Sequence, residues 1–415
     1  MSRWQLSESA SPTGLVVLLC TAQVLVQIGA FFWPALLPQL MPLWGLSNSE
    51  AGWITSGFYG AYMLAVPVLV TATDRIDPKR IYLLGVGLTV AGHLCFWGLA
   101  EGFWSALTCR IVTGVGWAGT YMTGLKLLAD RVDPRTMSRA ATGHAASIGI
   151  AGALSFATGE WLAEAYGWPA AFGIAGLCAA VAWGAIAIGV PSQNVVRAEC
   201  GTASSVTDFF SVFRNRSAMA YAFGYAIHTL EMSAVRGWAV AFLVWVVAHT
   251  GTAQAPVSPA LLVTVLALTG VVASVVGNEC SIRWGRGRLI QAAMGGSIIF
   301  GATIGFIGPM SYLVAATMLI AYGMMIWLDS ASLTAGTAGA AEPGRRGATL
   351  AVHSMLGYSG GFVGPLVIGW SLDLNGVSPN GWGISFAIIS LLMFVALVTF
   401  RHLNPRELPG DRRAQ

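Results

Sequence analysis

The sequence predicts an all-α membrane protein whose twelve transmembrane helices form two pseudo-symmetric six-helix bundles. Three observations lead to this fold class: the scarcity of charge, the length of the charge-free stretches, and the sorting of the remaining charges along the chain. The 415 residues are 55% hydrophobic and 10% charged, whereas a soluble domain is about 25% charged. A soluble globule is therefore excluded, and the net charge of +4 gives no reason to expect a nucleic-acid partner.

Stretches free of Asp, Glu, Lys and Arg recur along the chain and are long enough to cross a bilayer, which takes about 20 apolar residues. Some stretches hold a helix and a loop, and others are one helix interrupted by a single charge. With Gly, Pro, Asn and Trp as boundary marks, we predict twelve spans, numbered in chain order, at 14–38, 51–73, 80–99, 103–128, 140–163, 169–190, 217–247, 258–277, 288–307, 311–340, 347–372 and 381–400. The first is too long for the apolar core of a signal peptide and is taken as a span.

Tryptophans and charges mark the ends of the spans. Trp pairs bracket four loops on one side of the predicted membrane, as aromatic belts do: Trp44 and Trp53, Trp97 and Trp104, Trp161 and Trp168, and Trp370 and Trp382. Loops on this side, the acidic end, carry acids and no Lys or Arg: Glu50, Glu101, Glu160, Glu164 and Asp373.

The opposite side, the basic end, receives both termini and every Lys and Arg except Arg110 and Arg236. Basic loops stay in the cytoplasm. Both termini are therefore predicted to be cytoplasmic, in a multi-pass protein of the plasma (inner) membrane.

A weak internal repeat divides the chain into two halves. Three groups of residues recur in order: Arg75 and Asp77 align with Arg283 and Gly285; Arg139, Ala141 and Thr142 with Arg346, Ala348 and Thr349; Gly167, Trp168 and Phe172 with Gly381, Trp382 and Phe386. The predicted organisation is an N-terminal six-helix bundle (1–190), a cytoplasmic linker (191–216) and a C-terminal six-helix bundle with a short tail (217–415). Parallel repeats of this kind occur in secondary transporters.

Two motifs of the first half resemble those of the major facilitator superfamily. The loop between spans 2 and 3 places Asp74, Arg75 and Lys79 where the family signature Gly-x-Leu-x-Asp-Arg-x-Gly-Arg-Lys has the same residue types, with Val70 and Asp77 at its two glycines. Span 4 contains the family pattern Arg-x-x-x-Gly-x-Gly-x-Ala, formed by Arg110, Gly114, Gly116 and Ala118.

The loop between spans 8 and 9 repeats the first motif in part. Arg283, Gly285 and Arg286 match it, Ile282 occupies the acidic position, and Glu279 stands one turn earlier as a substitute carboxylate. The resemblance covers essentially the whole chain and implies alternating access between the two halves. It also implies a gating role for Asp74, Arg75 and Lys79, and for Arg283, Arg286 and Glu279, because in the family this loop holds the cytoplasmic side shut.

Four charged residues lie inside predicted spans and away from the span ends: Arg110, Glu231, Arg236 and Asp329. An intramembrane charge costs at least about 2.5–3.5 kcal/mol on insertion scales, so each is a functional candidate. Their charges sum to zero, which allows neutral pairing. Asp329 is alternatively a structural partner at a helix end, and Arg236 alternatively extends its guanidinium outward to the membrane surface.

Uncharged polar side chains accompany these charges. Tyr225 and His228 share one face of span 7, His353 lies in span 11, and Gln27 lies in span 1. Since the resemblance implies a central cavity lined by spans 1, 4, 7 and 10, these residues are predicted to bind substrate or to couple protons. Packed histidines with satisfied hydrogen bonds are the competing interpretation of His228 and His353.

The predicted function is secondary active transport of a small organic solute, with an anionic solute favoured and proton coupling through Glu231 or Asp329. The expected partners are the solute, the proton and the lipid bilayer, for a monomer. No nucleophile elbow, phosphate-binding loop or metal-ligand spacing occurs, so an enzyme, a cofactor and a metal site are not expected. The alternatives are a multidrug or metabolite efflux antiporter, or a non-transporting receptor or assembly factor of the same fold.

Overall fold

The computed structural model describes residues 12–193, 212–343, 345–408 and 411. These residues form fifteen α-helices and one 3₁₀ turn (Gly308–Met310), and they contain no strand. In chain order, α1 to α15 are Pro12–Gln27, Phe32–Trp44, Asn48–Ala72, Pro78–Leu99, Phe103–Ala118, Tyr121–Ala129, Pro134–Tyr166, Trp168–Gly189, Arg216–His249, Pro259–Trp284, Arg286–Ile307, Tyr312–Leu328, Ser330–Gly339, Arg346–Asn375 and Pro379–Leu403.

Helices occupy all twelve predicted span positions, which confirms the all-α fold class. Within the described residues, ten helical segments are long and apolar enough to cross a membrane. The segments at predicted spans 4 and 5, α5 with α6 and α7, fall outside that set. Most of the predicted linker lies outside the described residues.

Three predicted spans are each divided into two helices, which the sequence analysis did not anticipate. Span 1 breaks between α1 and α2, span 4 between α5 and α6, and span 10 at Asp329 between α12 and α13. Close packing coincides with the last break, because a Cβ on Gly277 of α10 would overlap the carbonyl oxygen of Leu328.

The predicted end of span 1 at residue 38 is wrong, since α2 continues through Pro38 and Pro42 to Trp44. Proline is tolerated inside membrane helices because neighbouring groups satisfy the backbone atoms it frees.

The two halves meet tightly at the acidic end. The Asp373 carboxylate of α14 accepts hydrogen bonds from the backbone N–H groups of Asn48 and Ser49 at 3.0 and 2.7 Å. On the other flank, the Ser258 hydroxyl before α10 donates to Glu160 of α7 at 2.5 Å. Helix α3 also packs closely along α14. A Cβ on Gly52 of α3 would lie 2.8 Å from the carbonyl oxygen of Pro365 on α14. The structure is therefore closed at the acidic end.

Candidate functional site

Glu231 lies inside the C-terminal half, on α9, and its residue is 0% exposed. The Tyr322 hydroxyl of α12 donates a hydrogen bond of 2.7 Å to Glu231 Oε1. Among the described residues, Glu231 Oε2 and the hydroxyl of Ser297 on α11 have no hydrogen-bond partner. The carboxyl group therefore points towards α12 of its own half.

Asp329 and His228 form a buried pair one helical turn from Glu231. His228 Nδ1 lies 3.0 Å from Asp329 Oδ1, which makes an ion pair when the imidazole is protonated. Asp329 also occupies the junction of α12 and α13, so its position fits both the binding prediction and the helix-end alternative. The structure thus brings together two residues that the sequence placed on different helices.

Tyr225 lies between His228 and His353. Its ring centroid lies 4.0 Å from that of His353 and 5.6 Å from that of His228, with the planes within 21° and 17° of parallel. His353 Nδ1 and Nε2 lie 3.0 and 3.3 Å from the hydroxyls of Thr337 and Thr334 on α13. The predicted polar residues of spans 7, 10 and 11 therefore form one group, and His353 is satisfied by hydrogen bonds as its competing interpretation expected.

The two intramembrane arginines contact aromatic rings. Arg110 Cζ lies 4.4 Å from the centroid of Phe58. Arg236 Cζ lies 5.1 Å from that of Phe31 and 4.9 Å from that of Trp327. A desolvated cation on a ring gains about 2 kcal/mol or more. The described ion pairs do not join either arginine to Glu231 or Asp329, so the neutral pairing that the sequence allowed does not form here.

Gln27 lies in the N-terminal half beside polar residues that the sequence analysis missed. A cavity of about 10 Å³ is lined by Gln27 of α1, Phe58 of α3, Thr89 and His93 of α4, and Thr113 and Trp117 of α5. Buried nitrogens of Gln27, His93 and Trp117 have no hydrogen-bond partner within the described chain. A signal existed for two of the missed residues, because Thr113 and Trp117 follow Arg110 at helical spacing on one face.

The gating residues predicted in the first half contact that same half. Lys126 Nζ lies 3.8 Å from Asp74 Oδ1, and Arg75 is exposed. The ammonium of Lys79 donates to the carbonyls of Ala187 and Val190 at the end of α8, at 2.8 and 2.5 Å. Since the structure is closed at the acidic end, their closure of the basic end stays a prediction.

Asp77 forms the most extensive contacts of this loop, although the sequence analysis noted it only as the replacement of a signature glycine. Its carboxylate lies 2.8 Å from Arg131 Nη2 and accepts the backbone N–H groups of Gln193 and Lys79 at 2.9 and 3.0 Å. Burial alone would raise the pKa of Asp77. The Gln193 N–H, the Arg131 side chain and the Lys79 N–H outweigh it and hold the pKa below its ordinary value of 3.8.

In the matching loop of the second half, the buried residue is an arginine and its partner is a carboxylate outside the loop. Exposed Glu279 pairs with Arg283 at 2.6 Å. Buried Arg286 instead binds Asp411, with Nη2 3.0 Å from Oδ1 and Nε 3.1 Å from Oδ2. Glu407 accepts the backbone N–H groups of residues 286 and 287 at the start of α11. Glu279, the expected substitute carboxylate, thus pairs with Arg283. Arg286 pairs instead with Asp411, in the segment after α15.

Comparison with known proteins agrees with this architecture. The family model of the Major Facilitator Superfamily matches residues 19–365. The chain belongs to the Major Facilitator Superfamily. The family and its structural neighbours are transporters and not enzymes, and the part of the chain that the structure describes contains no His, Cys, Asp or Glu group able to hold a metal ion.

Individual relatives match parts of the chain. The uncharacterized MFS-type transporter Rv1250 of Mycobacterium tuberculosis is 34% identical over 138 residues, which are 32% of this chain and 22% of that protein. The chain therefore matches well under two thirds of that relative's length.

Two solved structures share the fold. The nucleoside transporter NupG has a TM-score of 0.76 at 13% identity, covering 94% of this chain and 99% of that one. A bacterial homolog of the human lysosomal transporter Spinster, inward-facing and occupied, has a TM-score of 0.74 at 14% identity, covering 94% and 96%.

Proposed function

We propose that this protein is a proton-coupled secondary transporter that moves a small organic solute with an anionic group by alternating access. Membership of the superfamily and the transporter fold support transport. In this proposal all twelve helical positions span the plasma (inner) membrane, both termini are cytoplasmic, and the protein acts as a monomer. The two halves of the proposed cycle are the bundles on either side of the 191–216 linker.

The observation that carries proton coupling is the environment of Glu231. Its carboxyl group is fully buried, has one hydroxyl donor at 2.7 Å and has no cationic side chain as an ion-pair partner among the described residues. Burying a carboxylate without a paired cation is costly, and binding a proton removes that cost. Glu231 is therefore the proposed proton carrier, with Asp329 beside His228 as the second carboxyl group.

The anionic character of the solute follows from the arginines. Arg110 and Arg236 contact aromatic rings and lack a described carboxylate partner, so an anionic solute would supply the missing counter-charge. Closure at the acidic end fits one state of alternating access, in which the solute site is reached from the basic end.

The test is uptake and efflux of a panel of radiolabelled organic acids, among them lactate, quinate and muconate, in cells and proteoliposomes with and without a protonophore. Wild type should accumulate at least one of them, and the protonophore should abolish the accumulation. Glu231→Gln should lose proton-driven accumulation yet exchange preloaded solute, because Gln keeps the size of the side chain but binds no proton. Glu342→Gln, an exposed carboxylate at the basic end, is the matched control and should transport normally.

Three results would contradict the proposal. Uphill transport unchanged in Glu231→Gln would remove the coupling role of Glu231. Solute efflux driven by inward proton flow, without uptake, would favour the antiporter alternative. Absence of both accumulation and counterflow across the whole panel would favour the non-transporting receptor.

A further inference from the structure

The two halves bury charged groups of opposite sign. Within the described spans, the C-terminal half buries the carboxyl groups of Glu231 and Asp329, and the N-terminal half buries the guanidinium of Arg110. No carboxylate lies within ion-pair distance of Arg110 among the described residues, and its Nε and Nη1 have no hydrogen-bond partner. The N-terminal half therefore holds donors that need an acceptor.

The Phe58 ring compensates Arg110 only in part. Burying an ion costs several kcal/mol even after the protein relaxes, and a desolvated cation on a ring recovers about 2 kcal/mol or somewhat more. The ring also leaves the N–H groups on Nε and Nη1, which lie in the guanidinium plane, without acceptors. Arg110 is 2% exposed, so bulk water does not supply them.

Three further hydrogen-bond donors belong to residues that line the cavity beside Phe58. Gln27 Nε2, His93 Nε2 and Trp117 Nε1 are buried, lack partners and belong to residues that line the 10 Å³ cavity. Phe58 both lines this cavity and contacts the guanidinium of Arg110. The indole and amide nitrogens can only donate, so the matching ligand atom is an acceptor.

We propose that Arg110, Gln27, His93 and Trp117 form a docking site in the N-terminal half for a carboxylate group of the transported solute. The inference rests on the proposed function and deepens it, because it names the anionic group and separates its site from the proton site. The cavity takes one water-sized atom, which is one carboxylate oxygen. The second oxygen would accept hydrogen bonds from Arg110, whose Nε and Nη1 have no partner among the described residues. Arg236, which is half-buried between Phe31 and Trp327, is not part of this site.

The test measures binding without a proton gradient. Purified protein is titrated with sodium acetate or sodium benzoate at ionic strength held constant with sodium isethionate, and the midpoint of thermal unfolding is followed by fluorescence. Wild type should show a saturable rise of about 2 °C or more. Arg110→Gln should abolish the rise, and Arg80→Gln, which changes an exposed arginine at the basic end, should keep it. Trp117→Phe keeps the ring and removes one donor to a charged group, so its apparent affinity should fall about tenfold.

Arg110→Lys serves as the conservative variant if Arg110→Gln does not fold, and it should bind more weakly because it lacks the planar donor pair. An equal rise in wild type and in both Arg110 variants overturns the site. If sodium chloride raises the unfolding midpoint and acetate raises it no further, the site binds an inorganic anion. That result overturns the proposal that it binds the solute. Glu231→Gln should keep the carboxylate-dependent rise, so loss of transport with intact binding refutes only the coupling mechanism.

Discussion

Asp77 holds together the basic end of the N-terminal half, and its replacement is the sharpest test of the structural reasoning. The carboxylate joins three segments: the start of α4 through Lys79, the loop after α6 through Arg131, and the chain after α8 through Gln193. Asp77→Asn keeps the shape and the capping oxygen but removes the charge. Asp77→Ala removes the cap as well.

The magnitude follows from these contacts. The side chains of Asp77 and Arg131 are 4% and 3% exposed, so the pair is buried. Removing one partner of a buried ion pair costs about 3–5 kcal/mol, because the other charge stays uncompensated. Loss of the helix cap adds about 1 kcal/mol. We expect a lower free energy of unfolding in Asp77→Asn by about 3 kcal/mol, a larger loss in Asp77→Ala, and partial recovery when Arg131→Gln accompanies Asp77→Asn.

The assay is unfolding in detergent as a function of pH. Since the folded-state pKa of Asp77 is below its ordinary value of 3.8, the ionised carboxylate stabilises the protein fully above the unfolded pKa. That stabilisation is lost as the pH falls through the lower folded pKa. The stability gap between wild type and Asp77→Asn should therefore be constant from about pH 7 to pH 5 and shrink towards about pH 3. A gap that widens on acidification, or a single-mutant cost below about 0.5 kcal/mol, would refute the reasoning.

Two further predictions concern the second half. Asp411→Asn should lower the free energy of unfolding by about 3 kcal/mol, because Arg286 stays buried without its carboxylate; Glu279→Gln removes an exposed pair and should change it by at most about 1 kcal/mol. Equal effects in denaturant titrations would contradict the burial argument. Gly277→Ala should destabilise the protein by about 1–3 kcal/mol through overpacking against the Leu328 carbonyl, whereas Gly295→Ala, which meets open space, is the matched control. A neutral Gly277→Ala in thermal unfolding would show that the helices separate at little cost.

Much of the helical organisation could be predicted because membrane helices depend on local composition. The charge-free stretches place all twelve helical positions. In the structure, three helices follow a serine, Ser47, Ser258 or Ser378, whose hydroxyl accepts a backbone N–H. The breaks within spans 1, 4 and 10 were missed because the apolar pattern continues across them.

The candidate site was predicted residue by residue but not contact by contact. The rule that intramembrane charges are functional found Glu231, Asp329 and Arg110, yet it does not say which of them meet. His93 escaped because one neutral histidine in an apolar helix carries no net-charge signal. Its significance comes from Gln27 and Trp117, which lie far from it along the chain and beside it in space.

The sequence by itself determined the fold class, the positions of the helices and the separation of basic and acidic loops, because each depends on hydropathy and charge along a continuous stretch. Only the tertiary structure decided that Arg110 lacks a carboxylate partner among the described residues, and that Asp411 rather than Glu279 pairs with Arg286. Ion pairs and hydrogen bonds act over about 3 Å. Packing between helices brings residues within that distance, and linear spacing does not encode it.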